Sequence, residues 1–208
     1  MEEMKKDYKS IIIYFGTQVL LALMIGLVIG AMGRANNYSD IVNFIPQIVC
    51  FIIFAFMYYK MIVKDVKKLN VKSVLITIGI GILLVLFNDG ITHLLRNVDV
   101  PMNNQDMIEN MFYNYKFLVG IIVSIFAPVT EELVFRYSIG TIIKNKWIFL
   151  IVSSVIFGLM HGIGLITFLY IFIGLILGLA YLKSDKNIAV PMIIHIINNL
   201  AAVIMMLI

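Results

Sequence analysis

Seven apolar stretches take up most of the chain, at 11–32, 41–63, 71–95, 117–143, 147–163, 165–182 and 188–208. A helix needs about 20 mostly apolar residues to cross about 30 Å of hydrocarbon, and each stretch reaches or approaches that length. The expected fold class is all-α: a polytopic integral membrane helical bundle with about seven transmembrane helices. Composition closes the soluble alternative. Of 208 residues, 62% are hydrophobic and 13% charged. Soluble domains run at about 45–50% and 25%, so a water-facing surface cannot be assembled from this inventory. The 14 Phe and 10 Tyr exclude a disordered chain. The single cysteine, Cys50, excludes a disulfide framework and reads as a buried packing residue. Stretches 147–163 and 165–182 are parted by little more than Gly162 and Gly164, which predicts a tight helical hairpin or a partly re-entrant element.

The net charge of +4 acquires meaning only once the basic residues are located. Lys5, Lys6 and Lys9 precede the first stretch; Lys60, Lys64, Lys67, Lys68 and Lys72 lie around the second connection; Lys144 and Lys146 lie in the fourth; Lys183 and Lys186 lie in the sixth. Those twelve fall on one side of an alternating path, while Arg34, Arg96 and Lys116 fall on the other and Arg136 lies within a stretch. The positive-inside rule then predicts a multi-pass cell-membrane protein with its N-terminus in the cytoplasm and its C-terminus outside. The basic excess is a topology signal, and no nucleic-acid partner is expected. The N-terminal lysines resemble a signal-peptide n-region, but the apolar stretch exceeds the roughly 7–15 residues of an h-region and no A-x-A site follows, so the first span is expected to be retained. The 96–116 connection ends in Phe112, Tyr113 and Tyr115, which predicts that part of it lies along the outer interface. No internal repeat and no Pro-, Gly- or Ser-rich linker interrupts the chain, so 1–208 is expected to be one membrane domain.

Ionisable groups inside a span cost at least about 2.5–3.5 kcal/mol and mark a functional site by default. Away from the span ends they are Glu131, Glu132 and Arg136 in the fourth stretch, His161 in the fifth, and His195 with Asn198 and Asn199 in the seventh; Asp89 and His93 come late in the third and read as an interfacial pair. Glu132 and Arg136 are four apart, on one helical face, and in low dielectric they are expected to pair. Glu131, about a quarter turn round, is left free for chemistry. His195 and Asn199, and Phe157 and His161, repeat the four-residue interval. Three helices can thus turn polar stripes to a common pocket holding a carboxylate, two imidazoles and an amide. Amide hydrolysis needs such a set: a group that takes a proton from water, and donors for the oxyanion. Pro128 and Pro191 lie close before Glu131 and His195 and can open the helices there. At about 1.5 Å per residue, Glu131, His161 and His195 fall roughly 18, 21 and 10 Å from the cytoplasmic ends of their spans, which predicts a site from the membrane centre toward the cytoplasmic half. Gly174 and Gly178 form a G-x-x-x-G that permits close helix approach.

Three runs also resemble a known pattern. Glu131-Glu132-Leu133-Val134-Phe135-Arg136 is similar to the E-E-x-x-x-R motif of the CAAX protease and bacteriocin-processing enzyme family. Phe157-Gly158-Leu159-Met160-His161 resembles its F-x-x-x-H motif, and His195-Ile196-Ile197-Asn198-Asn199 its H-x-x-x-N motif. The resemblance covers 117–208, which it marks as the catalytic core; 1–116 carries no family motif. It implies an intramembrane endopeptidase in which Glu131 and His161 activate water, His195 and Asn199 hold the oxyanion, and Glu132 and Arg136 orient the site. No cofactor or metal is expected, with zinc at Glu131, His161 and His195 as the alternative. The compact size resembles bacterial members, tied to peptide pheromones, bacteriocin processing and self-immunity, so the expected partners are the bilayer and a short peptide or membrane-protein substrate. The oligomeric state is left open. Two other classes compete: a non-catalytic immunity or scaffold protein that binds a sensor or bacteriocin receptor, and a transporter with a proton relay, disfavoured by the lack of repeated halves.

Overall fold

The computed structural model describes residues 2–31, 35–95 and 103–207. Among the described residues seven helices follow one another and no strand forms. Helix α1 runs through Glu2–Gly16, a π-turn at Thr17–Leu21, and Ala22–Ala31. Helices α2 (Ala35–Lys67) and α3 (Val71–Leu95) follow. Helix α4 covers 103–142, with π-helical turns at Ile122–Phe126 and Leu133–Ser138 and a non-helical residue, Tyr115 (φ −136°, ψ 48°), that kinks it. Helices α5 (Lys146–Met160), α6 (Leu165–Lys183) and α7 (Ala189–Met205) complete the chain. The protein is an all-α polytopic membrane bundle.

Five of these helices contain a segment long and apolar enough to cross a membrane: Tyr8–Ala31, Phe44–Lys67, Val71–Leu94, Met111–Ile142 and Leu165–Lys183. The two stretches expected at 147–163 and 188–208 form shorter apolar helices. The 15 residues of α5 and 17 of α7 rise only about 22 and 26 Å, less than the hydrocarbon thickness. Local chemistry sets the limits of α5. The Asn145 side chain accepts from the Trp147 and Ile148 N–H groups and starts the helix. The backbone then turns at Gly162 (φ +144°) and Gly164 (φ +131°), a region that residues with a Cβ rarely enter. Thr167 closes the turn: its hydroxyl donates to the Gly162 carbonyl at 2.6 Å and accepts from the Gly164 N–H at 3.0 Å. A tight α5–α6 hairpin results, and glycines let its helices touch. A Cβ on Gly174 would stand 3.0 Å from the Ser154 Cα, and one on Gly158 would stand 2.8 Å from the Thr167 carbonyl oxygen.

The main core gathers Leu133, Phe135, Phe149, Phe157, Leu177 and Ile194 around α4. A second cluster corrects the expectation for the 96–116 connection. Residues 96–102 lie outside the described residues, but from Asn103 the chain is already helical, and Met111 and Phe112 are buried with Phe44, Val119, Ile122 and Val203. Tyr113 stays exposed, as an interfacial residue would. The end of α2 is tied to the start of α7 by Asp65, whose carboxylate accepts from the Ile188 N–H at 3.1 Å and the Lys68 ammonium at 2.6 Å, while its carbonyl accepts from the Asn187 amide at 2.9 Å. Glycine contacts make a direct test of the hairpin. Gly158→Ala is expected to cost about 1–3 kcal/mol, because backbone and not only side chain must shift, and to lower the Tm of the detergent-solubilised protein. Gly26→Ala, where a Cβ would meet nothing within 4 Å, is expected to leave it unchanged.

Candidate active site

The most deeply buried charges lie on α4. Glu132 and Arg136 are fully buried and pair at 3.2 Å between Oε1 and Nη1. The same Glu132 oxygen accepts from Nδ1 of His195 on α7 at 2.8 Å. Arg136 reaches on to α6, where Nη2 donates to the Gly174 carbonyl at 3.2 Å, and its guanidinium carbon lies 4.5 Å from the centroid of the Phe157 ring on α5. One ion pair thus touches every helix that carries a motif residue.

Glu131 points elsewhere. Its Oε2 lies 3.8 Å from Nε2 of His161 and 3.9 Å from Nε2 of His195, and no hydrogen-bond partner reaches that oxygen among the described residues. Both rings are oriented from behind. The Phe157 carbonyl, 2.7 Å from Nδ1 of His161, can only accept, so Nδ1 carries the hydrogen. In a neutral ring Nε2 then holds the lone pair. Glu132 imposes the same tautomer on a neutral His195. Three groups therefore converge through a carboxylate oxygen and two ring nitrogens, at separations too long for direct hydrogen bonds.

Asn199 belongs to an amide chain across three helices. Asn88 on α3 donates to Asn198 at 2.9 Å, Asn198 donates to Asn199 at 3.2 Å, and Asn199 donates to the Val123 carbonyl at 3.0 Å in the first π-turn of α4. That order fixes which end of Asn199 is the donor. A cavity of about 820 Å³ is lined by Glu131, His161, His195 and Asn199 together with Asn88 and Gln47.

Three of these features were not anticipated from sequence. Hydropathy puts His161 inside a span, yet it is the residue that ends α5, because Gly162 turns the chain straight after it. Its ring lies between Phe157 at 4.4 Å and Tyr170 at 4.1 Å, the latter stacked within 17°. Tyr170 is one of three residues with a polar side-chain atom, beside Thr167 and Tyr181, in the apolar run that the Gly162–Gly164 turn folds back on His161. Asn88 and Gln47 come from the spans without a family motif. Gln47 accepts from Gln18 on α1 and donates to Thr130 beside Glu131, each at 2.9 Å. Asp89 lines the outer part of the cavity and His93 is exposed, so neither joins the Glu–His group. Among the described residues no three His, Cys, Asp or Glu side chains are grouped to hold a metal ion.

The fold and this buried constellation define a multi-pass membrane protein with a polar site enclosed among its helices. Residues 113–201 match the family of Rce1-like, type II CAAX prenyl endopeptidases, a match that takes in Glu131, His161, His195 and Asn199. The chain belongs to this CAAX protease family. An uncharacterized protein of Mycoplasma capricolum subsp. capricolum is 31% identical over 224 aligned residues, spanning 94% of this chain and 67% of that protein. No solved structure matches the chain.

The buried pair yields its own expectation. Arg136→Leu strands the Glu132 carboxylate in an apolar core and should cost about 3–5 kcal/mol, visible as a lowered Tm in detergent. Arg136→Lys, which keeps a charge, should recover part of that loss.

Proposed function

We propose that the protein is an intramembrane endopeptidase that cleaves a short peptide or a membrane-protein segment with a water activated by glutamate and histidine. The observation that carries this reading is the position of the Glu131 Oε2, facing Nε2 of both His161 and His195 within 4 Å on the wall of a large cavity. A water molecule held by Glu131 and His161 gives its proton to the Glu131 carboxylate as its oxygen attacks the scissile carbonyl carbon. The carbonyl electron pair moves onto oxygen. His195, held from behind at Nδ1 by Glu132, serves that oxyanion through the Nε2–H of its imidazolium form, joined by the second N–H of Asn199. Collapse of the intermediate breaks the C–N bond, and the proton held on Glu131 passes to the departing amine. Glu132 and Arg136 touch no reacting atom and act by positioning His195. No metal or other cofactor takes part in this scheme. The biological setting proposed is peptide pheromone or bacteriocin processing or self-immunity, in a cell membrane with the N-terminus cytoplasmic.

General acid–base groups typically contribute about 10²–10⁴-fold. Glu131→Gln and His161→Ala are each expected to reduce peptide cleavage by at least about 100-fold, with unchanged amounts of protein in the membrane. Full cellular function in both variants would leave the immunity or scaffold reading in its place. Cleavage of a peptide library by the purified protein is expected to survive a chelator. Loss that added zinc restores would replace the metal-free scheme with the zinc alternative.

A further inference from the structure

The lysine-rich connections gather on one face of the bundle. Asp65 binds Lys68, Asn187 and the Ile188 N–H, so the α2–α3 connection and the α6–α7 turn, with Lys183 and Lys186, lie side by side. The N-terminal segment joins them, because Ser10, next to Lys9, bonds the Tyr58 hydroxyl near the same end of α2. Helix α4 ends and α5 begins at Lys144 and Lys146, one connection along the same alternating path.

The cavity runs to the other face, away from the cytoplasmic half toward which counting along the spans directs the site. Beyond Glu131 it is lined by Asp89 and Thr92 in the last turns of α3, Lys116 in the first half of α4, Gly162 and Ile163 in the α5–α6 turn, and Met206 just past α7. Thr92 is 21 residues past Val71, where α3 leaves the lysine-rich face, or about 32 Å along a helix. That is a full hydrocarbon thickness. The positive-inside rule makes the lysine-rich face cytoplasmic.

We propose that the site is entered from the exoplasmic side, and that its substrate is an extended polypeptide already across the membrane: an exported peptide or the exoplasmic juxtamembrane segment of a membrane protein. The wall chemistry fits such an occupant. An extended chain carries unpaired N–H and C=O groups that must find partners when it leaves water. Asn88, Asn198, Asn199 and Gln47 offer amides along a wall otherwise built from residues such as Phe112 and Ile166. The Asn88 Oδ1 is buried and meets no hydrogen-bond partner among the described residues, so it can accept from a substrate N–H. What happens to the segment rests on the protease reading above; the side from which it enters does not.

The test is cysteine mapping of the full-length chain in intact cells. Fully buried Cys50 is left in place, and the parent chain serves as the blank. Thr92→Cys and Tyr113→Cys report on the cavity mouth, Lys67→Cys and Lys144→Cys on the lysine-rich face; all four positions are exposed. A membrane-impermeant maleimide is expected to label the mouth pair at least ten-fold more than the lysine-face pair, which should react only after permeabilisation. A permeant maleimide on the denatured protein normalises for the amount of each variant. The reverse pattern, equal labelling of both pairs, or a mouth pair that does not label would each overturn the proposal. In parallel, a membrane-impermeant quenched-fluorophore peptide library is applied to intact cells expressing the parent chain or Glu131→Gln. Cleavage by the parent chain alone supports both readings. The expected labelling without Glu131-dependent cleavage overturns the protease reading and leaves the entry side standing.

Discussion

A carboxylate fully buried among apolar helices is tolerated only if its charge is answered, and Glu132 is answered twice through the same oxygen, by Arg136 and by His195. Removing one partner of such a group leaves an uncompensated charge in low dielectric, which is far more costly than the pair itself. The requirement reaches beyond α4. It draws α7 in through His195 and α6 in through the Gly174 carbonyl that Arg136 binds, and it presses the guanidinium onto Phe157 of α5. The placement of His195 in front of Glu131 is a consequence of this bond, because Nδ1 is committed to Glu132 and only Nε2 is left to face the cavity.

The irregular course of α4 serves the same arrangement. Two π-turns flank the short α-helical piece Ala127–Glu132 that carries Pro128 and both glutamates. Such turns leave carbonyls outside the regular ladder, and inside a membrane those groups must be re-satisfied by neighbours. Asn199 takes the Val123 carbonyl in the first π-turn, and Ser138 takes the Leu133 carbonyl in the second at 2.8 Å. The distorted backbone therefore brings α7 to α4 at two levels, through Glu132 and through Val123. The amide chain from Asn88 then makes the motif-free α3 part of the wall beside Asn199.

Much of this organisation was legible in the residues. The apolar stretches, the pairing of Glu132 with Arg136 and the separate orientation of Glu131 follow from hydropathy and a 3.6-residue period. The close approach of α5 and α6 follows from the glycine interval. Hydropathy carries the ends of α5 and α7 too far, since apolar residues continue past the points where the backbone turns. Asn88 and Gln47 are not legible as wall residues, because a polar residue in an apolar helix carries no sign of which neighbour it meets. Residue type alone makes Phe112 interfacial, whereas packing against Phe44 and Val203 buries it.

By itself the sequence determined that the chain is a helical membrane protein, which of its faces is basic, and which few ionisable residues must be enclosed. Those are consequences of transfer energies and local helical geometry, and both act over a few residues at a time. Tertiary structure alone decided that the Glu131 oxygen faces two imidazole nitrogens and that His161 sits at a turn. It also decided that the cavity extends away from the lysine-rich face. These depend on the rotation and depth of each helix, which are set by side chains meeting across long separations, such as Glu132 with His195 and Asp65 with Ile188.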